Sequence, residues 1–535
     1  MSCLEKDLEK DIEQYLAWLF ESFEFQEIRT GKIIHDSVWG TDYLSPHEVF
    51  ILDTPLLQRL RKISQTGLAF FTFPSTNHTR FSHSLGVYSQ VKKLIDAVEK
   101  TDKKNTVERK NTIKYAALLH DAGHGPFSHI SEEIFKNFPE FKELKTSNED
   151  LQNNPKAHEI LSYLIVKSDF FEKKVLGKLS ELYKEDINID LPLLRNCIVG
   201  NSRDKTKAYE IEFINGAFDA DKLDYLMRDG LYSGLPLRID LERLWYSVDM
   251  IHAEFNYGGK SIKSRRLTIK PNAESLMEQL VFAKMLLFMN FYHHQKIRAS
   301  ECLYKGIIEY IQDSNKPIRQ KSLGDREITF KSAIDFLYFD DHYFMNNFLT
   351  EYFGDPKLNK LCYNLQNRKH FVRAAVISYA TIASDYKQHE PISDELKIRY
   401  KNLLDLNNNK IYSALSDSEA RKFARKIYEE VKKKHPDCLK EEIWVDIPAF
   451  PSFDESELTY VSPYIDGAEP MSFNNFFPSK MWAEQYRTHK YKINVFCPKE
   501  YVEETSRVTK HVLKDKYGLV LNKLAFEICH QKEPE

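Results

Sequence analysis

Residues 116–135 read AALLHDAGHGPFSHISEEIF, and the fold turns on how this stretch is read. Tyr115 to Leu119 make an apolar helical turn that His120 and Asp121 close. Neighbouring helix positions lie about 100° apart, so an imidazole and a carboxylate placed there can converge on one small ion held off the helix end. Gly123, Gly125 and Pro126 then predict a helix break and a sharp reversal of the chain. His129 and Glu132, at i and i+3, share a face of the next helix. A polar turn between two helices, with its histidines bonded to backbone, would use the same residues; segments elsewhere decide between the two.

Two flanking segments favour a site. TRFSHSLGVYSQV (79–91) puts His83 on a helix with Arg80 one turn earlier on the same face. FDADKLDYLMRDGLYSG (218–234) is a helix dense in acids, Asp219, Asp221, Asp224 and Asp229, interleaved with Lys222, Tyr225 and Arg228. Its apolar residues Leu223, Leu226 and Leu231 predict that much of it is buried rather than a solvated charged face.

Composition narrows the class. With 76 basic and 79 acidic side chains in 535 residues, the net charge of −3 gives no bulk affinity for nucleic acid. The seven cysteines are scattered without a CxxC pair, which argues against a disulfide framework or a thiolate metal site and for a reducing compartment. MSCLEKDLEKDIEQ has no apolar signal core, and no run reaches the roughly 18 apolar residues that a membrane span needs, so a cytoplasmic protein without membrane partners is expected.

Apolar spacing predicts an amphipathic first helix over 4–24, carrying Leu4, Leu8, Ile12, Leu16 and Leu19. A β-rich opening around Gly40 follows, then helices from Pro46 and after Pro55. From 81 to 310 the pattern is helical except for RRLTIKP (265–271), which alternates as a strand does. KELKTSNEDLQNNPK (142–156) and QDSNKPIRQKSLGD (312–325) read as mobile loops. Helical pieces continue to about 435; IWVDIPAFPSF (443–453) and YKINVFCPKEY (491–501) predict strands, with a last helix over 499–515. The expected fold is therefore mainly α. An amino-terminal helix in 1–28 precedes a large helical core with small β-hairpins over 29–335, and a mixed α+β carboxy-terminal lobe fills 336–535.

The order His83, His120-Asp121, Asp221 resembles the H…HD…D ligand set of the HD phosphohydrolase superfamily. Four blocks, DTPLLQRLRKISQTG, FPSTNHTRFSHSLGV, LLHDAGHGPFSH and DADKLDYLMRDG, resemble in order the deoxynucleoside triphosphate triphosphohydrolases, especially the SAM-and-HD-domain type, across roughly residues 30–310. Beyond 310 only YKINVFCPKEY is similar to the family, and no SAM domain is expected in the short stretch ahead of the core. The resemblance implies an HD-domain core whose His83, His120, Asp121 and Asp221 bind one divalent metal. Such a set suits iron, manganese or zinc with positions open for water and a phosphate oxygen. Asp219 is the rival fourth ligand; the Asp-Lys-x-x-Tyr spacing favours Asp221.

The resemblance further implies that His124, His129, Glu132 and His158 assist proton transfer around the α-phosphate. Arg80 and Lys222, with Lys284 matched more loosely, receive a triphosphate that carries magnesium. Gln65 reads the sugar, and Tyr225 and Asp229 line the deoxyribose. NFYHHQKIRASECLY (290–304) is similar to a segment near the sugar pocket and an inter-subunit nucleotide site; there Asp53 and Arg61 match residues that recognise a guanine activator. A local salt bridge between Asp53 and Arg61 is the alternative reading, and Lys296 stands one position beyond the family's lysine.

The function implied is hydrolysis of a dNTP to deoxynucleoside and inorganic triphosphate by a nucleotide-activated homo-oligomer, dimer or tetramer, in dNTP pool control or antiviral defence. A nuclease or a hydrolase of another nucleotide signal would share the metal set but need a different pocket. A nucleotide-sensing oligomer without turnover would have no use for the His129/Glu132 pair.

Overall fold

The amphipathic stripe at the amino terminus forms α1 (Cys3–Leu19), which buries Leu8, Ile12, Tyr15 and Leu16. In this computed structural model the described residues are 3–101, 107–184, 187–257, 259–314, 318–319, 327–348, 355–382, 392–406, 414–450, 459–462 and 469–529. Tyr15 and Trp18 pack on Tyr338, with ring centroids 5.3 and 5.0 Å apart. The helix stops short of the expected residue 24 because Phe20, Phe23 and Phe25 leave it to form an aromatic cluster of their own.

β1 (Lys32–Asp36) and β2 (Gly40–Leu44) pair antiparallel, with Lys32 opposite Leu44 and Asp36 opposite Gly40. α2 (Pro46–Leu52) follows, its start fixed by Pro46 and by Glu48, which accepts the Ser45 N–H. The site is carried by α3 (Arg80–Thr101), α4 (Lys110–Leu119), α5 (His129–Phe135), α6 (Pro139–Ser147), α7 (Ala157–Lys167) and α8 (Ala220–Ser233). α3 packs against both α4 and α8, burying Val87, Val91, Leu94 and Val98 against Ile113, Ala116, Ala117 and Leu223.

The polar stretch 142–156, expected as a mobile loop, instead contains the second half of α6 and a 3-10 turn at Glu149–Leu151. A narrow stripe of Phe141 and Leu144 is enough to bury it, and Asp150 accepts the Tyr163 hydroxyl at 2.9 Å. Most of the loop expected at 312–325 lies outside the described residues. RRLTIKP belongs to a longer hairpin, β3 (Val248–Tyr257) with β4 (Lys260–Ile269), in a four-stranded sheet completed by Tyr460–Val461 and Met471–Ser472.

Beyond α9 (Glu274–Leu287) and α10 (Gln295–Ser314), the helical run expected to 435 is interrupted by β5 (Val372–Ile377). α11 (Glu419–Lys434) then leads to β6 (Trp444–Asp446); residues 451–453 of the expected strand lie outside the described ones. β7 (Ile493–Cys497) is the centre of a three-stranded antiparallel sheet between β5 and β6, and α11 and α12 (Val502–Val512) pack on it. Buried apolar side chains form one large cluster around the helical core and a second around this sheet, the second including Ala374, Ile377, Phe423, Val445 and Val495. The protein is thus mainly α with small β elements. Among the described residues no helix is long and apolar enough to cross a membrane.

Candidate metal centre and active site

The first turns of α3 and α8 and the end of α4 meet at one point. Ligand atoms of His83, His120 and Asp221 lie within 4.8 Å of one another. His83 Nε2 is 3.0 Å from Asp221 Oδ1 and 3.5 Å from Asp121 Oδ2, and His120 Nε2 is 3.4 Å from Asp121 Oδ1. Each imidazole is fixed through its other nitrogen: His120 Nδ1 donates to the Ala117 carbonyl at 2.8 Å, and His83 Nδ1 to Asp224 Oδ2 at 2.7 Å. Both Nε2 atoms are buried and make no well-formed hydrogen bond. Two fixed-tautomer nitrogens facing carboxylates are the donor set that suits a divalent cation.

The electrostatics agree with that fit. Burial disfavours the His83 cation, but the carboxylates of Asp221 and Asp224 facing its two nitrogens outweigh burial and raise the affinity of this point for positive charge. Burial likewise opposes ionisation of Asp121, yet His120 and Arg80 hold its carboxyl well below the usual carboxylate range. The surroundings favour positive charge at this point, which a dication supplies.

Asp219 caps α8. Its Oδ1 accepts the Lys222 backbone N–H at 2.8 Å, while Oδ2 accepts the Gly216 N–H at 2.9 Å and the Lys222 ammonium at 2.6 Å. Both of its oxygens are committed, whereas Asp221 faces His83; the geometry favours Asp221 as the ligand. The Lys222 ammonium also donates to the Gly216 carbonyl at 2.9 Å.

Asp224, one acid among several in the sequence, holds His83 in place. It accepts Arg228 Nε and Nη2, both at 2.9 Å, and the Trp39 indole N–H at 2.5 Å. Burial raises its pKa, but Arg228 and His83 bring it down to about 2. Gly86 makes room for this arrangement, since a Cβ there would stand 1.8 Å from Asp224 Oδ1. Gly86→Ala is expected to displace the carboxylate, lowering stability by about 1–3 kcal/mol and weakening metal retention. Urea unfolding together with metal analysis checks both effects.

A second cluster abuts the first. His124 and His158 stack at 4.0 Å, and His129 sets its ring edge-on to His124 at 5.1 Å. Glu132 lies between two of them: Oε2 is 2.9 Å from His129 Nδ1 and Oε1 is 2.9 Å from His158 Nδ1. Oε1 also accepts the Ala157 N–H at 3.1 Å, anchoring the carboxylate to the start of α7. Burial penalises ionised Glu132, but His158 and His129 hold it well below the usual range. Burial, Arg80 and His158 together hold His124 well below an ordinary histidine. His124 Nε2 lies 3.4 Å from Asp121 Oδ1, joining the clusters.

The backbone reaches this arrangement in an unexpected way. The reversal in HGPFSH is made by Phe127 and Ser128, both at φ 56°, and not by the glycines. Their strain is held by the Phe127 N–H on Asp341 at 2.6 Å and by Ser128 Oγ, which accepts from Arg80 Nε at 2.9 Å and donates to the Ser64 carbonyl at 2.5 Å. Gly123 serves close approach instead: a Cβ there would stand 2.3 Å from the His158 carbonyl oxygen.

Arg80 spans from the metal centre toward the expected sugar side. Its Nη1 donates to Asp121 Oδ2 at 2.7 Å and its Nη2 approaches the Gln65 carbonyl at 3.4 Å. The Gln65 Oε1 atom is buried, with no hydrogen-bond partner among the described residues. Asp229 accepts from Tyr292 OH at 2.5 Å, in the segment expected near the sugar pocket, and pairs with His78 Nε2 at 2.7 Å, a partner that no local sequence pattern points to. Tyr225 is half-buried on α8, and Lys284 is buried on α9, which packs against α8.

The local salt bridge considered for Asp53 and Arg61 does not form. Asp53 pairs with Lys32 at 2.5 Å, while Arg61 donates to Gln58 at 2.8 Å and lies over the Phe81 ring at 3.6 Å.

Residues 80–228 match the family described as HD domain, an interval that takes in both histidine clusters and Asp221. Across 510 residues the chain is 25% identical to an uncharacterized protein of Methanocaldococcus jannaschii, covering 93% of this chain and 85% of that one. It is 29% identical to the deoxynucleoside triphosphate triphosphohydrolase SAMHD1 homolog of Dictyostelium discoideum, over 45% of this chain and 44% of that one. It is 33% identical to the deoxynucleoside triphosphate triphosphohydrolase SAMHD1 of Gallus gallus, over 40% and 36% respectively. The similarity spans less than half the length of either of these last two relatives.

Proposed function

We propose that this HD-domain protein, dNTPase-like over the region it shares with its relatives, hydrolyses deoxynucleoside triphosphates to deoxynucleoside and inorganic triphosphate. The coarser activity, metal-dependent phosphohydrolysis, is that of the HD domain itself. The finer reading rests on one observation. The cluster of His83, His120, Asp121 and Asp221 adjoins the Glu132-braced histidine stack through the Asp121–His124 contact, and Arg80 runs from Asp121 to the Gln65 carbonyl.

A bound divalent metal would lower the pKa of water and offset charge on the phosphate oxygens. Arg80 is placed to exchange Asp121 for a phosphate oxygen, which its planar fork binds well. His124 stacks on His158, which Glu132 braces, so the pair can carry a proton toward the departing 5′ oxygen. The unpartnered Gln65 Oε1 and the Asp229–Tyr292 pair offer hydrogen bonds to a sugar, and Tyr225 would leave no space for a 2′-hydroxyl.

Iron, manganese or zinc fits the centre, with magnesium on the triphosphate and Lys222 and Lys284 as its further cations. We assign the catalytic unit to residues 29–335. Nucleotide activation near Asp53 and Arg61, a homo-oligomer, a cytoplasmic location and a role in dNTP pool control or antiviral defence complete the proposal.

The test is product identity. Metal-loaded protein incubated with dNTPs singly and in pairs is expected to release deoxynucleoside and triphosphate in equal amounts, with ribonucleotides slower by about 100-fold. Monophosphate or pyrophosphate products would contradict the reading. Cleavage of single-stranded DNA that survives purification would favour a nuclease.

A further inference from the structure

The turn of the first hairpin, Asp36-Ser37-Val38-Trp39, lies outside the family match and more than 40 residues ahead of His83 in the chain. It nevertheless touches the supports of both halves of the site. Asp36 Oδ1 accepts the Val38 and Trp39 N–H groups at 2.8 and 3.0 Å, which shapes the turn. Asp36 also receives Arg228 Nη1 on Oδ2 at 2.9 Å and Nη2 on Oδ1 at 3.2 Å. The Trp39 indole N–H and Arg228 then hold the two oxygens of Asp224, whose Oδ2 accepts from His83 Nδ1. On the other side, Ser37 Oγ lies 2.7 Å from Tyr232 OH, and the Tyr232 ring stacks on His78 at 4.6 Å, the histidine paired with Asp229.

We infer that this turn is a positioning element: Trp39 and Asp36 set the orientation of the metal-facing His83 through Asp224 and Arg228, while Ser37 sets that of Asp229 through Tyr232 and His78. A carboxylate that accepts four donors has no freedom to rotate, so His83 Nε2 is aimed by groups on a separate element. Arg228 is completely buried, and without Asp36 it would pull Asp224 away from the imidazole. The inference rests on the reading of His83 as a metal ligand and extends the residues that serve it to the hairpin.

Trp39→Phe removes only the indole N–H arm while keeping an aromatic ring. Its metal affinity, measured by competition with a chelator, is expected to fall by about 10-fold or more, within the range for partners that orient a metal ligand. Asp36→Asn is expected to act the same way without touching the Trp39 packing, and it carries the test if Trp39→Phe fails to fold. Ser37→Ala should leave metal affinity unchanged and raise KM for the dNTP. A purely structural role would lower the melting temperature of metal-free protein without altering the dissociation constant of the folded form. Folded Trp39→Phe and Asp36→Asn proteins that bind metal as tightly as the parent would overturn the inference. His83→Ala separates the two levels: if it too retains metal, the ligand assignment itself fails, whereas loss of metal in His83→Ala alone overturns only the positioning role.

Discussion

A chain carrying His120→Ala with Asp121→Ala is expected to purify without metal and to turn over dNTPs at least about 10³-fold more slowly than the parent, a barrier increase of roughly 4 kcal/mol. His120 supplies one of the two buried Nε2 atoms, and Asp121 stands against both imidazoles. Asp121 also neutralises Arg80, so its loss leaves a buried guanidinium unpaired, which costs about 3–5 kcal/mol in such settings. Two controls keep the result interpretable. Circular dichroism shows whether the double variant is folded, and Asp121→Asn retains the shape and a hydrogen-bond acceptor for Arg80 while removing the charge. Folded double variant that holds metal at the parental stoichiometry would show that the ligands lie elsewhere.

The second large effect is expected at Glu132. Glu132→Gln keeps the side-chain shape and the contact to the Ala157 N–H, but it places an amide where two imidazoles need one ionised acceptor. Only one of His129 and His158 can then donate to it, and the other ring loses its tautomer and its orientation. The expected loss is about 10²- to 10³-fold in kcat, with metal content and KM little changed, because the group acts on proton transfer rather than on binding. Matched loss of metal and activity would instead place Glu132 in the support of the metal centre.

Much of this site was legible in the sequence because its residues sit at fixed offsets on helices. His83 with Arg80 and His129 with Glu132 are short-range patterns that helical geometry brings onto one face, and the His120-Asp121 pair follows directly on the end of α4. Asp219 illustrates a local signal of another kind: an aspartate immediately ahead of a helix favours capping, and Asp219 caps α8. What the sequence did not show is tertiary. Trp39 and Asp224 are 185 residues apart, and His78 and Asp229 151 apart, so no local pattern joins them. The glycines of the HD segment illustrate a different gap. Their presence predicted a reversal, but the left-handed residues are Phe127 and Ser128, a strain that only surrounding contacts can hold. β5 was hidden because its six residues, VRAAVI, sit between helices and are too few and too irregular to show an alternation of their own. α6 was hidden because its buried stripe is only two residues wide.

In the proposed reaction water attacks the α-phosphorus and the bond to the 5′ oxygen breaks. Hydrolysis of a dNTP by the metal-loaded protein in ¹⁸O-labelled water, with both products analysed by mass spectrometry, tests it directly. The expected result is intact inorganic triphosphate carrying one labelled oxygen per turnover beside unlabelled deoxynucleoside. Label in the deoxynucleoside, or release of pyrophosphate and a monophosphate, would contradict it.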